Sequence, residues 1–342
     1  IVLSLVGALP FTLSGEIPIY LDAVFEMISG FTTTGSSILP NVEALSRCML
    51  LWRSFSHWLG GMGILVFMLA IVKMEGGQGI HLLRAESPGP TVGKMVPRMV
   101  DSSKILYSIY LALTLVQLIF YLAGGMPLFD SLCNAFATAG TGGFSVRNSG
   151  LADYSAYLQA VTTVFMVLFG VNFSVYFFLL RRRFRLAWHN SEVRWYFIII
   201  FGAIVLISAN LLLTGGFFPT VFQTIHHVAF SVGSVITTTG FGTADFAKWP
   251  EFSKTVLLIL MAIGACAGST GGGMKVSRVL ILAKTARAET RHLLHPHSVE
   301  VMTMDGKRVS SEVIRGTMAF FICYAAIAVV SILLVSLDNF GA

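Results

Sequence analysis

Long apolar stretches alternate with short polar segments along the whole chain. Many of these stretches reach the roughly 20 residues that a helix needs to cross a bilayer. The predicted spans are residues 50–73, 105–123, 156–180, 196–214, 254–284 with an interruption, and 316–336. Residues 1–13 have the character of the end of a further span. The hydrophobic pattern therefore predicts an all-α membrane protein that crosses the bilayer several times.

A second type of apolar segment is too short to cross the bilayer. Three predicted half-spanning helices of this type cover residues 22–30, 130–138 and 222–235. Each one runs into a segment rich in threonine and glycine, which is followed by a longer apolar stretch. Gly35, Gly143 and Gly240 mark these segments and lie 108 and 97 residues apart. The spacing indicates a repeated unit of membrane helix, half-spanning helix, re-entrant loop and second membrane helix.

The threonine and glycine segments have the composition of an ion filter. Irregular backbone inside a membrane is tolerated where it lines a watery cavity, and its unpaired carbonyls can replace the hydration shell of a cation. Glycine allows such carbonyls to turn inward at positive φ. A polar surface loop is the alternative for any single segment, but three copies in matching context favour the filter. The candidate filter residues are Thr33, Thr34, Gly35, Gly142, Gly143, Thr239 and Gly240, with the ion itself expected at Thr34, Gly35, Gly143 and Gly240.

The first two half-spanning helices begin with an acidic residue, Asp22 and Asp130. We expect each carboxylate to satisfy free backbone amides there and to meet the positive end of the helix dipole. The opposite, negative helix ends then point toward the pore axis. This orientation favours a cation over an anion.

Composition and charge exclude several other classes of protein. With 55% hydrophobic and 12% charged residues, the chain does not have the composition of a soluble domain. Segments 73–104, 181–194 and 284–315 carry sixteen Lys and Arg, whereas the filter-side loops carry five. This asymmetry places the three basic segments in the cytoplasm, so the positive charge indicates topology and no nucleic-acid partner is expected. The four cysteines have no metal-binding spacing and are expected to be unpaired packing residues.

A further glycine-rich segment at 268–275 interrupts the span predicted at 254–284. Four glycines in six residues cost a helix about 1 kcal/mol each, so the helix must break there. The segment does not match a phosphate-binding P-loop, because Met274 separates the last glycine from Lys275 and no strand precedes it. A kink for close helix packing is the alternative to a functional loop.

Several motifs, taken together, point to a known family. Besides the three filter segments, the chain contains Trp58-Leu59-Gly60-Gly61-Met62-Gly63, an Arg-Ala-Glu-Ser-Pro-Gly-Pro motif at 84–90, and the glycine-rich region 264–275. In this combination and order, the chain resembles the TrkH type of potassium-translocating subunit in the Trk/Ktr/HKT superfamily. The resemblance covers essentially all 342 residues.

This resemblance implies that four helix–pore–helix repeats surround a pseudo-fourfold pore, with potassium as the transported ligand. It also implies a homodimer in the inner membrane of a prokaryote. A cytoplasmic nucleotide-binding subunit similar to TrkA is expected to dock on the basic segments 73–104 and 284–315. No enzymatic activity and no organic cofactor are expected. The family places a flexible gate under the filter, which implies the gate residues Gly268, Ser269, Thr270, Gly271, Gly272, Gly273 and Lys275, the last meeting an approaching cation.

The repeats can be assigned along the chain. Residues 1–73 form repeat 1, with its pore helix and filter at about 22–36 and its second helix at 50–73. The later units are repeat 2 at 74–180, repeat 3 at 181–285 with an interrupted second helix, and 286–342 as a cytoplasmic loop and the first helix of repeat 4. We expect the chain to be a fragment that lacks N-terminal helices, the fourth filter loop and the last helix.

Two other functions stay open at this point. The alternative most similar to a potassium transporter is a sodium-coupled or sodium-permeable transporter of the same fold. In some relatives a serine replaces the first filter glycine, so Gly35 favours potassium. An ATP-using membrane component that acts through the glycine-rich segment is the more distant one. Asn172, His57 and the pair His226 and His227 lie in predicted membrane segments, where each either lines an ion pathway or forms hydrogen bonds between helices.

Overall fold

The computed structural model describes residues 1–63, 99–295 and 302–337, and within these ranges the chain is almost entirely helical. The helices are α1 (Val2–Leu13), α2 (Tyr20–Phe31), α3 (Arg47–Gly61), α4 (Met99–Ala123), α5 (Leu128–Ala139), α6 (Ala156–Phe169), α7 (Phe173–Leu180), α8 (Phe184–Trp188), α9 (Ser191–Thr214), α10 (Val221–Ile236), α11 (Glu251–Ile263), α12 (Val276–Leu294) and α13 (Ser311–Ser336). Short 3-10 helices occur at Val42–Ala44 and Phe246–Lys248, and strands β1 (Thr303–Met304) and β2 (Lys307–Arg308) pair antiparallel.

Three of the described helices are long and apolar enough to cross a membrane. They are α4 from Lys104 onward, α9 and α13. Their lipid-facing character is visible in large apolar side chains that stay exposed, such as Leu111, Phe201 and Ile332. These helices coincide with the predicted spans 105–123, 196–214 and 316–336. The prediction of an all-α membrane protein is confirmed.

The predicted span at 156–180 is a bent pair of helices and not one continuous helix. α6 and α7 together reach the length of a span, but they meet at an angle of 91°. At the bend, Gly170 packs so closely on Tyr196 that a Cβ would overlap the tyrosine hydroxyl. Asn172 then caps α7, because its side-chain oxygen accepts a hydrogen bond from the backbone amide two residues later, over 2.9 Å.

The half-spanning helices are α2, α5 and α10, and each begins and ends within two residues of its predicted bounds. α2 packs against α1 and α3 of the first repeat. α5 packs against α4 and α6 and also against α3 of the preceding repeat. In the same way, α10 packs against α9 and α11 and against α6 of the preceding repeat. The helix groups α1–α3, α4–α6 and α9–α11 therefore stand side by side, with one short helix in each.

Asp22 and Asp130 do not cap these helices, contrary to expectation. α2 and α5 begin two residues before them, and neither helix has a side-chain cap. The Asp130 carboxylate instead accepts a hydrogen bond from the Tyr154 hydroxyl (2.7 Å) and lies 3.7 Å from the Arg147 guanidinium. Both acidic residues are in the first helical turn, where they still meet the positive end of the dipole.

The buried apolar side chains form three clusters that follow the repeats. One surrounds Met27 between α1, α2 and α3, the second surrounds Tyr121 between α4, α5 and α6, and the third surrounds Ile207 between α9, α10 and α11. Each half-spanning helix is thus anchored in a buried cluster, and α5 and α10 also reach the preceding cluster through Cys133 and Phe230.

Several sequence predictions lie outside the described residues. They are residues 64–73 of the predicted second helix of repeat 1, the motif at 84–90, most of the basic segment 73–104, part of the basic segment 284–315, and residues 338–342.

Candidate ion filter and gate

The three threonine and glycine loops share one backbone conformation. The second residue of each loop, Thr33, Thr141 or Thr238, has a positive φ of 55°, 52° or 59°. The fourth residue is the marker glycine, with φ of 79°, 79° and 84° in chain order. A left-handed backbone is strained for a β-branched residue such as threonine. Three copies of this strained turn therefore indicate a shared role.

Equivalent hydrogen bonds attach each loop to its half-spanning helix. The first loop residue donates its backbone N–H to the carbonyl four residues earlier, over 2.9, 3.0 and 3.2 Å in the three repeats. The third loop residue donates to the carbonyl five residues earlier, over 2.9, 3.0 and 2.8 Å. These bonds satisfy terminal carbonyls of the helix. They also fix each marker glycine relative to its helix end.

The marker glycines bring neighbouring loops into contact. A Cβ at Gly35 would overlap the carbonyl oxygen of Gly142 in the second loop. A Cβ at Gly143 would overlap the carbonyl oxygen of Thr239 in the third loop. At Gly240, apart from its chain neighbours, no atom of the described residues lies within 4 Å of such a Cβ. Among the described residues, the first loop thus lies against the second and the second against the third.

One cavity touches all three marker glycines. Its volume is about 630 Å³, and its wall includes Gly35, Gly143 and Gly240 together with residues that follow each of them. The left-handed threonines of the loops are not part of this wall. The cavity therefore lies at the glycine end of the loops, on the side that the distribution of basic residues assigns to the outside.

Threonine hydroxyls brace the first and third loops. Thr32 Oγ1 and Thr34 Oγ1 are 2.8 Å apart, and Thr237 Oγ1 and Thr239 Oγ1 are 2.7 Å apart. Because these hydroxyls bond to one another, the backbone carbonyls are the better candidates for ion ligands in these loops.

In the second loop, Gly140 and Gly142 replace these threonines, and the ring of His57 fills the space that their side chains would need. A Cβ at Gly140 or Gly142 would overlap atoms of His57, which is fully buried on α3. The ring stacks on Phe144 with centroids 4.0 Å apart, and Nδ1 accepts a hydrogen bond from Phe144 N–H over 3.4 Å. His57 therefore packs directly against the second candidate filter loop. The sequence offered only one signal for it, a histidine within an apolar helix.

The glycine-rich segment forms a loop at 264–275, between α11 and α12, and this loop contacts two filter loops. Thr141 Oγ1 donates a hydrogen bond to Thr270 O over 3.0 Å. Thr238 Oγ1 accepts one from Gly272 N–H over 2.7 Å. Since both threonines lie at the end of the loops away from the cavity, the glycine-rich loop covers that end of the candidate filter.

The break between α6 and α7 forms backbone hydrogen bonds with this glycine-rich loop. Cys266 N–H donates to Gly170 O over 3.0 Å, and Phe173 N–H donates to Gly268 O over 2.9 Å. Each interruption supplies partners for backbone groups that the other leaves free, as buried backbone requires. The two helix breaks therefore support each other.

Glu192, in the first turn of α9, fastens both ends of the glycine-rich loop. Its Oε1 accepts hydrogen bonds from Ala267 N–H (2.6 Å) and Ser277 N–H (3.1 Å). Its Oε2 lies 3.5 Å from the amide nitrogen of Asn172. Glu192 is only 4% exposed. The sequence analysis missed this residue, although an acidic side chain at the start of an apolar span is an available signal.

Lys275 is folded into its own loop. It is 8% exposed and has a φ of 79°, and its ammonium donates a hydrogen bond to the Gly271 carbonyl oxygen. The positive charge thus lies within the loop that contacts the second and third filter loops.

Comparison with known proteins decides the family. The family model described as "TrkH: Cation transport protein" matches residues 1–340. This chain belongs to the TrkH family. The Trk system potassium uptake protein TrkH of Escherichia coli (strain K12) is 36% identical over 348 residues, which cover 100% of this chain and 72% of that protein. The Trk system potassium uptake protein TrkG of the same strain is 32% identical, with 98% and 70% covered.

A solved TrkH structure has the same fold. The crystal structure of the potassium transporter TrkH from Vibrio parahaemolyticus matches with a TM-score of 0.86 and 32% identity, covering 100% of this chain and 70% of that one. The family resemblance drawn from the sequence motifs is confirmed. So is the assignment to all-helical membrane transport proteins.

The other polar residues that the sequence singled out form side-chain hydrogen bonds between elements. In this TrkH family member, His226 Nε2 lies 2.8 Å from Gln159 Oε1, and His227 Nδ1 lies 3.0 Å from Thr243 Oγ1. Both contacts fit the structural alternative for these histidines. Asn172 likewise has a structural partner, because it caps α7 beside Glu192.

Proposed function

We propose that this chain transports potassium ions across a membrane through a filter formed by the backbone of its three threonine and glycine loops. The observation that carries this proposal is that loops of one conformation bring Gly35, Gly143 and Gly240 to the wall of one cavity. The relatives support the choice of ion, since the matching proteins of Escherichia coli are named potassium uptake proteins.

The chemistry of the loops suits a cation that binds and leaves quickly. Each loop follows the C-terminal, negative end of a half-spanning helix, which attracts positive charge. Carbonyl oxygens can replace the hydration shell, and several weak sites allow release as well as binding. We assign the ion to the level of Thr34, Gly35, Gly143 and Gly240. Glycine at position 35 favours potassium over the sodium alternative.

The glycine-rich loop at 264–275 is proposed as the gate. Its support is the pair of hydrogen bonds from Thr141 and Thr238, which hold it against the filter loops. Backbone rich in glycine can change conformation at low energetic cost. The ATP-using alternative has less support, because Lys275 is buried and bonded within its own loop.

Assembly and location are also proposals. Residues 1–73, 74–180 and 181–285 are taken as three of four repeats around the pore. The protein is proposed to act as a homodimer in the bacterial inner membrane, with a TrkA-like nucleotide-binding subunit on the cytoplasmic side. The exposed basic residues Arg287 and Arg308 lie on the surface proposed for that subunit.

Replacing Gly240 by valine tests the filter. The φ of 84° at this position excludes a relaxed β-branched residue, so the loop must change conformation. We expect the complete transporter with Gly240→Val to fold but to lose selective potassium uptake into liposomes. Gly216→Val is the matched control, because Gly216 also has a φ of 84° and open surroundings but lies between α9 and α10.

Two results would count against the proposal. Normal selective uptake by a stable Gly240→Val protein would remove Gly240 from the filter. Uptake by the unsubstituted protein that prefers sodium would support the sodium alternative instead.

A further inference from the structure

A buried ion pair lies behind the first filter loop, outside every residue assigned so far. Glu26 of α2 and Arg53 of α3 are 0% and 2% exposed. The Arg53 Nη2 and Nε atoms lie 2.6 and 2.7 Å from Glu26 Oε1. Two charges removed from water are rarely the most stable way to fill such a space. A role beyond stability therefore has to be considered.

The Glu26 carboxylate accepts hydrogen bonds from the segment that follows Gly35. Ser37 Oγ donates to Glu26 Oε1 and Oε2, over 3.0 and 3.1 Å. Ile38 N–H donates to Oε2 over 3.1 Å, and Arg53 Nη2 donates to Ser37 Oγ over 3.2 Å. Ser37 and Ile38 follow Gly35 by two and three residues. The pair therefore fixes the outer end of the first loop.

Arg53 extends the same support to the second loop. Its guanidinium carbon lies 4.0 Å from the ring centroid of Phe144, the residue directly after Gly143. Arginine over an aromatic face is attractive, and more so when water is excluded. One ion pair thus contacts the residues that follow two neighbouring marker glycines.

In the other two described repeats, the position of Glu26 is not occupied by a charged residue. Glu26 lies nine residues before its marker glycine, and the matching positions are Asn134 in the second repeat and Ser231 in the third. Neither is charged. In the third repeat a hydroxyl supports the loop instead, since Ser234 Oγ donates to Phe241 O over 2.7 Å.

We propose that Glu26 and Arg53 are positioning residues that set the ion selectivity of the filter. The inference rests on the proposed function of the loops. A filter discriminates between ions through the number and placement of its carbonyls. With the pair intact, the segment after Gly35 and the side chain of Phe144 have fixed partners. Without it, the first loop loses its outer attachment, and its carbonyls can approach a smaller ion.

The test is the potassium-to-sodium permeability ratio of the complete transporter in liposomes, measured on folded protein. Glu26→Gln removes the charge but keeps the shape of the side chain. Loss of these charge-assisted hydrogen bonds should lower the ratio about tenfold, while total cation flux persists. Ser37→Ala leaves the ion pair and its bond from Ile38 N–H in place, and removes the hydroxyl that donates to Glu26 and accepts from Arg53. We expect a smaller fall in the ratio for this variant.

The matched control is Glu251→Gln. It neutralises a carboxylate of the exposed pair between Glu251 and Lys254 on α11, away from the filter. Its permeability ratio should be unchanged. This control separates an effect of the buried pair from an effect of net charge at the outer surface.

The outcomes are distinguishable. An unchanged ratio in both Glu26→Gln and Ser37→Ala, with Gly240→Val still lowering it, would overturn this inference and leave the proposed filter standing. An unchanged ratio in Gly240→Val as well would overturn the filter itself. If Glu26→Gln does not fold, Ser37→Ala decides the matter, because its ion pair is intact. A lower ratio in Ser37→Ala then supports the inference, and an unchanged one overturns it.

Discussion

The contact between filter and gate can be broken one hydrogen bond at a time. Thr141 and Thr238 hold the glycine-rich loop through their side-chain oxygens. Valine has nearly the same shape as threonine and the same branching at Cβ, so Thr141→Val and Thr238→Val keep the strained backbone and remove only the hydroxyl. If the loop is a closed gate, either substitution should increase the flux of ions.

The size of the increase follows from the bonds that are lost. Thr141→Val removes the hydroxyl that donates to Thr270 O and that also lies 2.7 Å from Gly140 O. Loss of the neutral bond to the glycine-rich loop, worth about 0.5–1.5 kcal/mol, corresponds to a roughly 2- to 13-fold change in the ratio of open to closed gates. Thr238→Val removes the acceptor of the Gly272 N–H and leaves that amide without its partner. A penalty of about 1 kcal/mol predicts a roughly fivefold change.

The assay is uptake of radioactive rubidium or potassium into liposomes, normalised to folded transporter. Thr33→Val is the matched comparison, because Thr33 has the same left-handed conformation in the first loop, and within the described ranges its hydroxyl has no hydrogen bond to the gate. Flux should rise in the two gate-contacting variants and not in Thr33→Val. Equal or lower flux in Thr141→Val and Thr238→Val, with folding intact, would refute the assignment of the gate.

Three further predictions concern the loop and its supports. Deleting residues 268–273 should raise basal flux, whereas lower flux at equal folded protein would favour a packing role. Glu192→Gln weakens the acceptor of the Ala267 amide in the loop and of the Ser277 amide at the start of α12, so flux should rise about fivefold. Flux equal to that of the exposed control Glu312→Gln would contradict this. Gly264→Ala should lower the thermal unfolding midpoint, because a Cβ there would overlap the Gly272 carbonyl at a φ of 74°. An unchanged midpoint would show that this close approach is not required.

The three threonine and glycine loops could be located from the sequence because their backbone preferences are local. Threonine and glycine at fixed distances after a short apolar segment define a turn that few other residues can adopt. The half-spanning helices followed from the same local pattern, and α2, α5 and α10 lie where it predicts them. The interruption before α12 was equally predictable, since a glycine cluster cannot continue a helix.

The missed features depend on contacts between distant parts of the chain. The bend between α6 and α7 requires the glycine-rich loop, which lies about 100 residues later and supplies partners such as Gly268 O for Phe173 N–H. An apolar segment with one glycine and one asparagine contains no signal for such a distant partner. Glu192 and His57 were underestimated for the same reason. Their roles depend on backbone groups that only the folded chain brings near them.

The capping role expected for Asp22 and Asp130 failed for a local reason. Helix starts are uncertain by one or two residues when a sequence is the only guide, and both helices begin two residues earlier than predicted. The expected electrostatic attraction is retained, because an acidic residue in the first turn still lies at the positive end of the helix dipole.

The central claim is that Gly35, Gly143 and Gly240 surround one ion. Anomalous scattering from thallium or rubidium, in crystals of the complete transporter, tests it most directly. The account predicts a peak bounded by the three marker glycines in the unsubstituted protein, and its loss in Gly240→Val with the fold retained. Strong ion peaks elsewhere along the transport path, with none between the three loops, would contradict it.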